Sequence, residues 1–360
     1  MNILFCSEGF IIDGVASYNL YLSGTLKQAG HNVAIIGRWA PGGFQKRHRQ
    51  AGVRVIQCPS LTVNHPWFIR QARKFAPDVI ITDARRSFPL SQRIQKQTGA
   101  KVITVFHDPP QPDKTGIRGV EALAGGSDAW VTSEESIYQE LLTLKSDLPV
   151  KLIQRPITGV VQCTALPPKD PFRVLCIGRL SKWKAPGFRA IVENASELKK
   201  AIPSLQIDIL GGGRRRVSFW MAAMQGNRRQ AETYIHIRGA TTDTQSWIQK
   251  ANLVCAGATS AVEAILSDRP VLAFSGFWIG LITAANLENA AATHFGERQG
   301  AFYVREQPEI ICQSIIESYN QWQEKLMAQH VKTVRQKLTP LYDANAVARQ
   351  FKCLFLGFNN

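Results

Sequence analysis

Residues 167–177, PPKDPFRVLCI, join a proline-rich segment to a run of apolar residues. The segment from Pro156 to Pro168 is rich in Pro, Thr and Val and shows no hydrophobic periodicity, which is typical of a linker. The run Phe172–Ile177 has the length and composition of a buried strand. A new strand directly after a linker predicts that a second domain starts at this point.

Short β-rich runs alternate with helical patterns on both sides of this junction. Such alternation builds parallel sheets through right-handed crossovers. We therefore expect an α/β fold of two Rossmann-like domains that face each other across a cleft, with C-terminal helices after about Pro308. The predicted helical stretches include Ser17–Ala29, Ser87–Thr98, Glu134–Leu144 and Pro186–Ala201. The predicted strands are Asn2–Cys6, Asn32–Ile36, Arg54–Cys58, Asp78–Thr82, Lys101–Phe106, Ala129–Thr132, Lys151–Gln154, Phe172–Ile177, Gln206–Leu210, Tyr234–Ile237, Leu253–Cys255 and Val271–Phe274.

The length of the chain agrees with two domains, because 360 residues are too many for one ordinary core. We place the N-terminal, acceptor-side domain at 1–157 and the linker at 158–170. The C-terminal domain, 171–335, is expected to bind the nucleotide, and the last helix, 336–360, is expected to pack back on the N-terminal domain.

The balance of charge indicates an anionic partner. The chain has 43 Lys and Arg against 27 Asp and Glu, a formal net charge of +16. Nucleic acid, an acidic membrane surface and an anionic substrate all fit such a charge. No helix-turn-helix, zinc or RNA-binding motif is present, so we do not expect a nucleic-acid partner.

The cysteines and the absence of a long apolar run favour the cytoplasm. The seven cysteines are scattered without a CxxC pair, which indicates reduced core thiols. No run reaches the roughly 18 apolar residues that a membrane-spanning helix needs. The first strand starts at once, without a basic leader.

Glycines and charged residues follow several predicted strands. Gly14 lies in the loop before the first helix, where it is either a simple turn glycine or a point of close approach for an anion. In the second domain, Gly178-Arg179 through Lys184 follows one strand and Gly211-Gly212-Gly213 follows the next. A guanidinium and an ammonium at a strand end suit a diphosphate. A third stretch, Gly257 to Glu263, opens a helix with small residues.

These features resemble the donor-binding half of the retaining glycosyltransferases of family four, which have the GT-B fold. The resembling residues are Gly178-Arg179-Leu180 with Lys184, the glycine loop, Glu263-Ala264 and Pro270-Val271, and in the first domain Gly14-Val15, Gly30-His31-Asn32-Val33, Phe106-His107-Asp108 and Thr132-Ser133-Glu134. The resemblance implies transfer of a sugar from a nucleotide-diphosphate donor to an acceptor hydroxyl, and it favours a UDP-sugar as the donor. It also implies a retaining reaction in cell-surface glycan or glycolipid synthesis.

The same resemblance implies roles for individual residues. Arg179 and Lys184 would neutralise the donor diphosphate, and Glu263 would bind the ribose. His107 would contact the transferred sugar, although a histidine after an apolar strand is also a common core residue. The predicted catalytic residues are therefore His107, Arg179 and Lys184. The predicted donor-binding residues are Gly14, Gly211, Gly212, Gly239, Ala258, Thr259, Ser260 and Glu263.

Two departures from the family keep other readings open. Cys255 stands where family members have a second glutamate, and Arg155-Pro156 replaces the usual Asn-Gly before the linker. The sequence Ala256-Gly257-Ala258-Thr259 also resembles that of an inverting N-acetylglucosamine transferase of peptidoglycan synthesis. A non-catalytic partner subunit with this fold and a sugar-nucleotide epimerase remain alternatives.

No cofactor or metal is expected, because the cations and helix amides suit the charge of the diphosphate and no DxD pair is placed to hold a metal. We expect an anionic or lipid-linked acceptor and peripheral binding at the inner face of a membrane, since basic residues are interleaved with Trp39 and Phe44 in Trp39–Arg49 and with Trp67 and Phe68 after Pro66. A solvated basic surface is the alternative. The candidate acceptor or membrane residues are Trp39, Lys46, Arg47, Arg49, Asp83, Arg85 and Arg86.

Overall fold

The chain forms two units. The computed structural model describes residues 1–58, 66–84, 87–109, 122–144, 149–163 and 165–358. One unit consists of Met1–Thr158 and Leu341–Asn360, and the other consists of Gly159–Pro340.

The first unit is built on a seven-stranded parallel sheet with the order β3-β2-β1-β4-β5-β6-β7. In its inner strand β1, Ile3, Leu4, Phe5 and Cys6 are all buried. Strands that are covered on both faces are apolar throughout, which explains this continuous run. The strands are β1 Asn2–Gly9, β2 Asn32–Arg38, β3 Arg54–Cys58, β4 Val79–Asp83, β5 Lys101–Phe106, β6 Ala129–Thr132 and β7 Val150–Leu152. The helices are α1 Gly14–Gln28, α2 Gln45–Gln50, α3 Pro66–Phe75, α4 Phe88–Thr98 and α5 Glu135–Leu144.

The second unit has a six-stranded sheet with the order β10-β9-β8-β11-β12-β13, in which only β12 and β13 pair antiparallel. Its strands are β8 Arg173–Ile177, β9 Gln206–Leu210, β10 Ile235–Gly239, β11 Leu253–Ala256, β12 Val271–Phe274 and β13 Trp278–Leu281. Its helices are α6 Ala185–Glu193, α7 Ala195–Ala201, α8 Arg216–Arg229, α9 Gln245–Ile248, α10 Ala258–Leu266, α11 Leu287–Ala292 and α12 Glu309–Asn320.

Two C-terminal helices follow, α13 Glu324–Tyr342 and α14 Ala344–Leu356. Asp343 caps α14 with a carboxylate that accepts a hydrogen bond from the Ala346 amide at 3.1 Å. Phe351 and Phe355 of α14 belong to the same buried cluster as Ile3 and Phe5 of β1. Burial of these two rings therefore holds α14 on the sheet of the first unit.

The predicted fold class is confirmed, with two parallel-dominated α/β sheets and C-terminal helices. All twelve predicted strands are present, five of them with the predicted limits and the other seven with ends that differ by one to three residues. Strand β13 was not predicted, because it is four residues long, contains Gly280 and follows β12 after only three residues. The helix predicted over Pro186–Ala201 is wrong in one respect. It is two helices, broken at Asn194, whose side-chain amide donates to the Ala190 carbonyl at 2.9 Å.

Candidate functional site

His107 follows β5 directly, at the carboxyl end of the first sheet. Its ring lies edge-on against Tyr18 of α1, with 4.8 Å between ring centroids. Tyr18 is fully buried, so its ring fixes one side of the imidazole. The carboxyl ends of parallel strands are where ligands bind in open α/β sheets, which suits the role predicted for His107.

Gly14 is the first residue of α1. Asp13 caps this helix, and its Oδ1 accepts a hydrogen bond from the Ala16 amide at 2.8 Å. In the described part of the chain, apart from its two chain neighbours and the backbone of its own helix, nothing lies within 4 Å of the position that a Cβ on Gly14 would take. Packing among these residues therefore does not require a glycine at this position.

A group of buried polar side chains lies in the first unit and was not predicted from the sequence. Arg155 and Glu134 are both buried, and the guanidinium of Arg155 lies 5.6 Å from the centroid of the Tyr18 ring. Burial raises the pKa of Tyr342 to about 12, an effect that Arg155 opposes and Glu134 reinforces. Arg155 stands where the family usually has Asn-Gly. This difference was the one feature of the sequence that pointed to Arg155 as unusual.

Asp83 is the last residue of β4, and its carboxylate forms a hydrogen bond within the loop that follows. Its Oδ2 accepts a hydrogen bond from Ser87 Oγ at 2.7 Å, just before α4 begins. Its role at the acceptor stays a prediction. Arg85 and Arg86 lie outside the described residues.

The glycine loop after β9 packs against the loop after β8. The Leu180 amide donates to the Gly212 carbonyl at 2.9 Å, and a Cβ on Gly211 would lie 2.0 Å from the Gly178 carbonyl oxygen. Gly213 has a φ of +139°, which L side chains rarely adopt. The neighbouring loop alone therefore accounts for Gly211, so this glycine is not by itself a sign of a ligand.

Gly239, at the end of β10, continues this arrangement. Its φ is +84°, and its carbonyl accepts a hydrogen bond from the Gly211 amide at 2.9 Å. Backbone hydrogen bonds thus connect the carboxyl ends of β8, β9 and β10. Arg179 lies in the first of these loops, half-buried, and among the described residues no acidic side chain forms an ion pair with it.

Lys184, at the start of α6, forms an ion pair that the sequence did not predict. Its Nζ lies 2.6 Å from Oε2 of Glu297, and Ser275 Oγ donates to the same carboxylate oxygen at 2.8 Å. Burial alone would raise the pKa of Glu297, but the charge of Lys184 and the hydrogen bonds from Lys184 and Ser275 lower it below its usual value. The Glu297 carboxylate is therefore ionised, and it is the counter-ion of Lys184 in this structure.

A short segment of unusual backbone holds Glu297 in place. The three residues before it have positive φ angles: His294 51°, Phe295 53° and Gly296 82°. The His294 carbonyl accepts a hydrogen bond from the amide of Ala258, the first residue of α10, at 3.2 Å. Ala258 itself has a φ of +53°. Strained backbone of this kind persists only where the surrounding structure fixes it, and it is frequent at binding sites.

Of the predicted residues in α10, Thr259 and Glu263 are buried and Ser260 is half-buried. Oε2 of Glu263 accepts a hydrogen bond from Thr244 Oγ1 at 3.2 Å. Cys255, in β11, is fully buried, and burial together with Cys176 raises the pKa of its thiol well above the usual value. The position of the family's second glutamate is thus part of the core.

Trp183, between Arg179 and Lys184, is 42% exposed. Its ring packs edge-on against Phe277 and Tyr303, at centroid distances of 5.9 and 5.6 Å. A Cβ on Gly276 would lie 2.3 Å from this ring, so the glycine makes room for the indole. An exposed aromatic face therefore lies beside the two cations.

The predicted membrane segment is only partly exposed. Lys46 and Arg49 are exposed, and Trp39 is 41% exposed. Phe44 and Phe68, however, are buried, which corrects the expectation that these aromatic residues face a membrane. Arg47 is half-buried, and its guanidinium lies 5.8 Å from the Phe44 ring centroid.

The described part of the chain has neither a membrane-spanning helix nor a cluster of metal-ligating side chains. None of its helices is long and apolar enough to span a membrane. No group of three or more His, Cys, Asp and Glu side chains in that part is arranged to hold a metal ion.

Solved structures share the fold of the whole chain. HepE from Anabaena, in complex with UDP-glucose, is 14% identical, with a TM-score of 0.70, and the match covers 99% of this chain and 100% of that chain. A glycosyltransferase from Rickettsia africae is 18% identical, with a TM-score of 0.68 and coverage of 98% and 97%. Sucrose-phosphate synthase from Thermosynechococcus elongatus is 15% identical, with a TM-score of 0.70 and coverage of 99% and 98%.

The sequence also matches a family. Residues 12–158 match the model of Glycosyltransferase Family 4, while none of the curated proteins matches the chain. The matched residues make up nearly all of the first unit before the linker. The match and the shared fold agree with the resemblance found in the sequence: residues 12–158 match Glycosyltransferase Family 4, and the whole chain has the GT-B fold of the solved structures.

Proposed function

We propose that this chain is a glycosyltransferase that transfers a hexose from a UDP-linked donor to a hydroxyl group of an anionic or lipid-linked acceptor, in cell-surface glycan or glycolipid synthesis and with retention of configuration. The observation that best supports a diphosphate donor is the set of cations at the carboxyl end of β8. Arg179 and Lys184 both lie there, beside backbone that is closely packed and fixed. HepE, which shares the fold, was solved with UDP-glucose, and this favours uridine as the base.

In this proposal Lys184 exchanges one anionic partner for another. Glu297 holds the ammonium 2.6 Å away and is ionised. A donor diphosphate has more negative charge than one carboxylate, so it can replace Glu297 as the partner of Lys184. Glu297 then becomes available to accept hydrogen bonds from donor hydroxyl groups. It would supply a carboxylate that Cys255, buried in β11, cannot supply.

The chemical step needs stabilisation of the departing diphosphate. Fixed cations aimed at developing negative charge act without reorganisation, and such groups are among the largest contributors to catalysis. We assign this role to Arg179 and Lys184, and we assign contact with the transferred sugar to His107. Glu263, with one carboxylate oxygen bound to Thr244, is assigned to the ribose hydroxyl groups.

A screen of nucleotide sugars tests the donor. We expect UDP-glucose or UDP-N-acetylglucosamine to raise the melting temperature more than the GDP-, dTDP- and ADP-linked sugars, because a ligand that binds only the folded state stabilises it. At a concentration one hundred times Kd this stabilisation is about 2.7 kcal/mol. The Lys184→Ala variant is the control and should lose most of the shift. If no nucleotide sugar shifts the native chain, the proposed donor class is wrong.

Catalysis without a metal is a second expectation. Because protein cations are proposed to neutralise the diphosphate, turnover should survive exhaustive treatment with EDTA. Activity is measured as release of UDP before and after chelation, and again after magnesium or manganese is added back. Loss of turnover on chelation with recovery on metal addition would show that a metal takes part.

We also propose that the chain works at the cytoplasmic face of an anionic membrane. The excess of cations supports this, and Lys46 and Arg49 are exposed in the first unit. Since Phe44 and Phe68 are buried, this segment contributes mainly charge. Attraction of that kind weakens as salt shortens the Debye length, from about 10 Å at 0.1 M to about 3 Å at 1 M.

A further inference from the structure

Helix α8 has two apolar faces. One face contains the buried residues Phe219, Ala223 and Gly226 and packs on the rest of the second unit. Val217, Trp220 and Met221 are 68%, 54% and 62% exposed. Residues three and four positions apart lie on the same side of a helix, so these three form one exposed apolar surface. Met224 and Arg228 continue it, and with Trp220, Met221, Gln225 and Arg229 they line an open groove.

Arginines lie at both ends of this surface. Arg214, Arg215 and Arg216 precede or begin the helix, and Arg228 and Arg229 end it. Residues 211–231 contain no Asp or Glu. The acidic residues next to this segment are already paired: Asp208 with Arg238 at 2.7 Å, and Glu232 with Lys199 at 3.0 Å. The arginines therefore give the surface a net positive charge.

We propose that this surface docks on an anionic lipid bilayer, with Val217, Trp220 and Met221 in the interfacial region and the arginines on lipid phosphates. A helix that lies in the plane of a membrane has this combination of a broad apolar face and flanking cations. A phosphate backbone of nucleic acid would bind the arginines but would leave the exposed Val217 and Met221 in water. The inference rests on the proposed membrane association and assigns its apolar part to one helix.

Salt separates the contribution of α8 from that of the first unit. Screening weakens the attraction between exposed charges and phosphates but does not weaken burial of apolar surface. Charge around Lys46 and Arg49 alone predicts binding that disappears at high salt. Insertion of the α8 side chains predicts a fraction of binding that persists.

The test is sedimentation with phosphatidylcholine vesicles and with mixed phosphatidylcholine–phosphatidylglycerol vesicles, at low and high salt. The key variant combines Val217→Ser, Trp220→Ser and Met221→Ser, which are exposed positions outside the core. A charge variant combines Arg214→Gln, Arg215→Gln, Arg228→Gln and Arg229→Gln. The first-unit variant combines Lys46→Gln, Arg47→Gln and Arg49→Gln. Leu326→Ser with Leu356→Ser is the matched control, since these leucines are 65% and 55% exposed but lie elsewhere. Circular dichroism and thermal melts verify folding.

We expect the native chain to bind the mixed vesicles, and part of this binding to persist at high salt. The α8 serine variant should lose at least about tenfold in affinity, including the persistent part. The α8 charge variant should also weaken binding, the first-unit variant should lose only the salt-sensitive part, and the leucine control should bind like the native chain. Equal binding by the native chain and the α8 serine variant overturns the inference while membrane association itself stands.

Two other outcomes also overturn the inference. Binding of the native chain to neither type of vesicle removes membrane association as a whole. Concentration-dependent dimers that the serine variant lacks, without vesicle binding, would show that the surface contacts a second copy of the chain. The proposed donor is tested independently, because melting shifts with UDP-sugars need no vesicles.

Discussion

A His107→Ala variant is expected to lose about 10²- to 10³-fold in kcat, with donor affinity close to that of the native chain. The reason is that a hydrogen-bonding group aimed at the reacting sugar acts mainly in the transition state, and loss of one such donor typically has this effect. The measurements are steady-state turnover with the UDP-sugar that stabilises the chain most and calorimetric affinity for UDP.

Tyr18→Phe is the matched control for this variant. It keeps the ring that packs edge-on against His107 at 4.8 Å, and it removes a buried hydroxyl that has no hydrogen-bond partner among the described residues. We expect nearly native turnover from it. If His107→Ala retains native turnover, the histidine is a core residue packed on Tyr18 and has no catalytic role.

A Lys184→Ala variant is expected to weaken UDP binding by about 10- to 150-fold, which corresponds to the roughly 1.5–3 kcal/mol of a hydrogen bond to a charged group. Two effects weaken UDP binding in this variant. The diphosphate loses a cation, and the Glu297 carboxylate remains without the ammonium that lies 2.6 Å from it. Affinity is measured by calorimetry.

Glu297→Gln should have the opposite sign and tighten UDP binding, because it removes the anion that competes for Lys184. The change in the free energy of UDP binding in the double variant should differ from the sum of the changes in the two single variants, since the two side chains are in direct contact. Lys182→Ala, an exposed lysine two residues from Lys184, is the control and should change little. Weaker UDP binding in Glu297→Gln would show that this carboxylate is not a competitor.

Glu263→Ala belongs to the same series and should weaken UDP binding to a similar extent if the carboxylate binds ribose. Because Glu263 is buried and bonded to Thr244, a melting curve without ligand must accompany the titration. Native UDP affinity in both Lys184→Ala and Glu263→Ala would disprove the donor site.

Several features were predictable because they depend on local sequence or on topology alone. Parallel strands that are buried on both faces need continuous apolar runs, so Ile3–Cys6 and Phe172–Ile177 were recognisable as strands. In a parallel sheet the loops after adjacent strands meet at one edge, so Gly178 and Gly211 could be expected to lie near each other. The structure adds that the two loops pack on one another, which is why Gly211 has no side chain.

Other features depend on contacts between distant parts of the chain. The pair between Lys184 and Glu297 was not predictable, because residues 294–296 must adopt left-handed backbone to bring the carboxylate to the start of α6. Phe44 and Phe68 alternate with cations in the sequence as surface aromatic residues do, but neighbouring elements cover them. Helix α8 shows the opposite case. Its apolar residues suggest a fully buried helix, but one of its apolar faces is exposed in the structure.

The sequence by itself determined the two-domain α/β fold, the order of its strands along the chain and the residues that follow their carboxyl ends, because hydrophobic periodicity and glycine positions are local properties. Only the tertiary structure decided which charged residues are paired and which apolar residues are exposed. The physical reason is that burial and ion pairing depend on what lies across space from a side chain, and residues such as Lys184 and Glu297 meet only after the strands, helices and loops between them have packed.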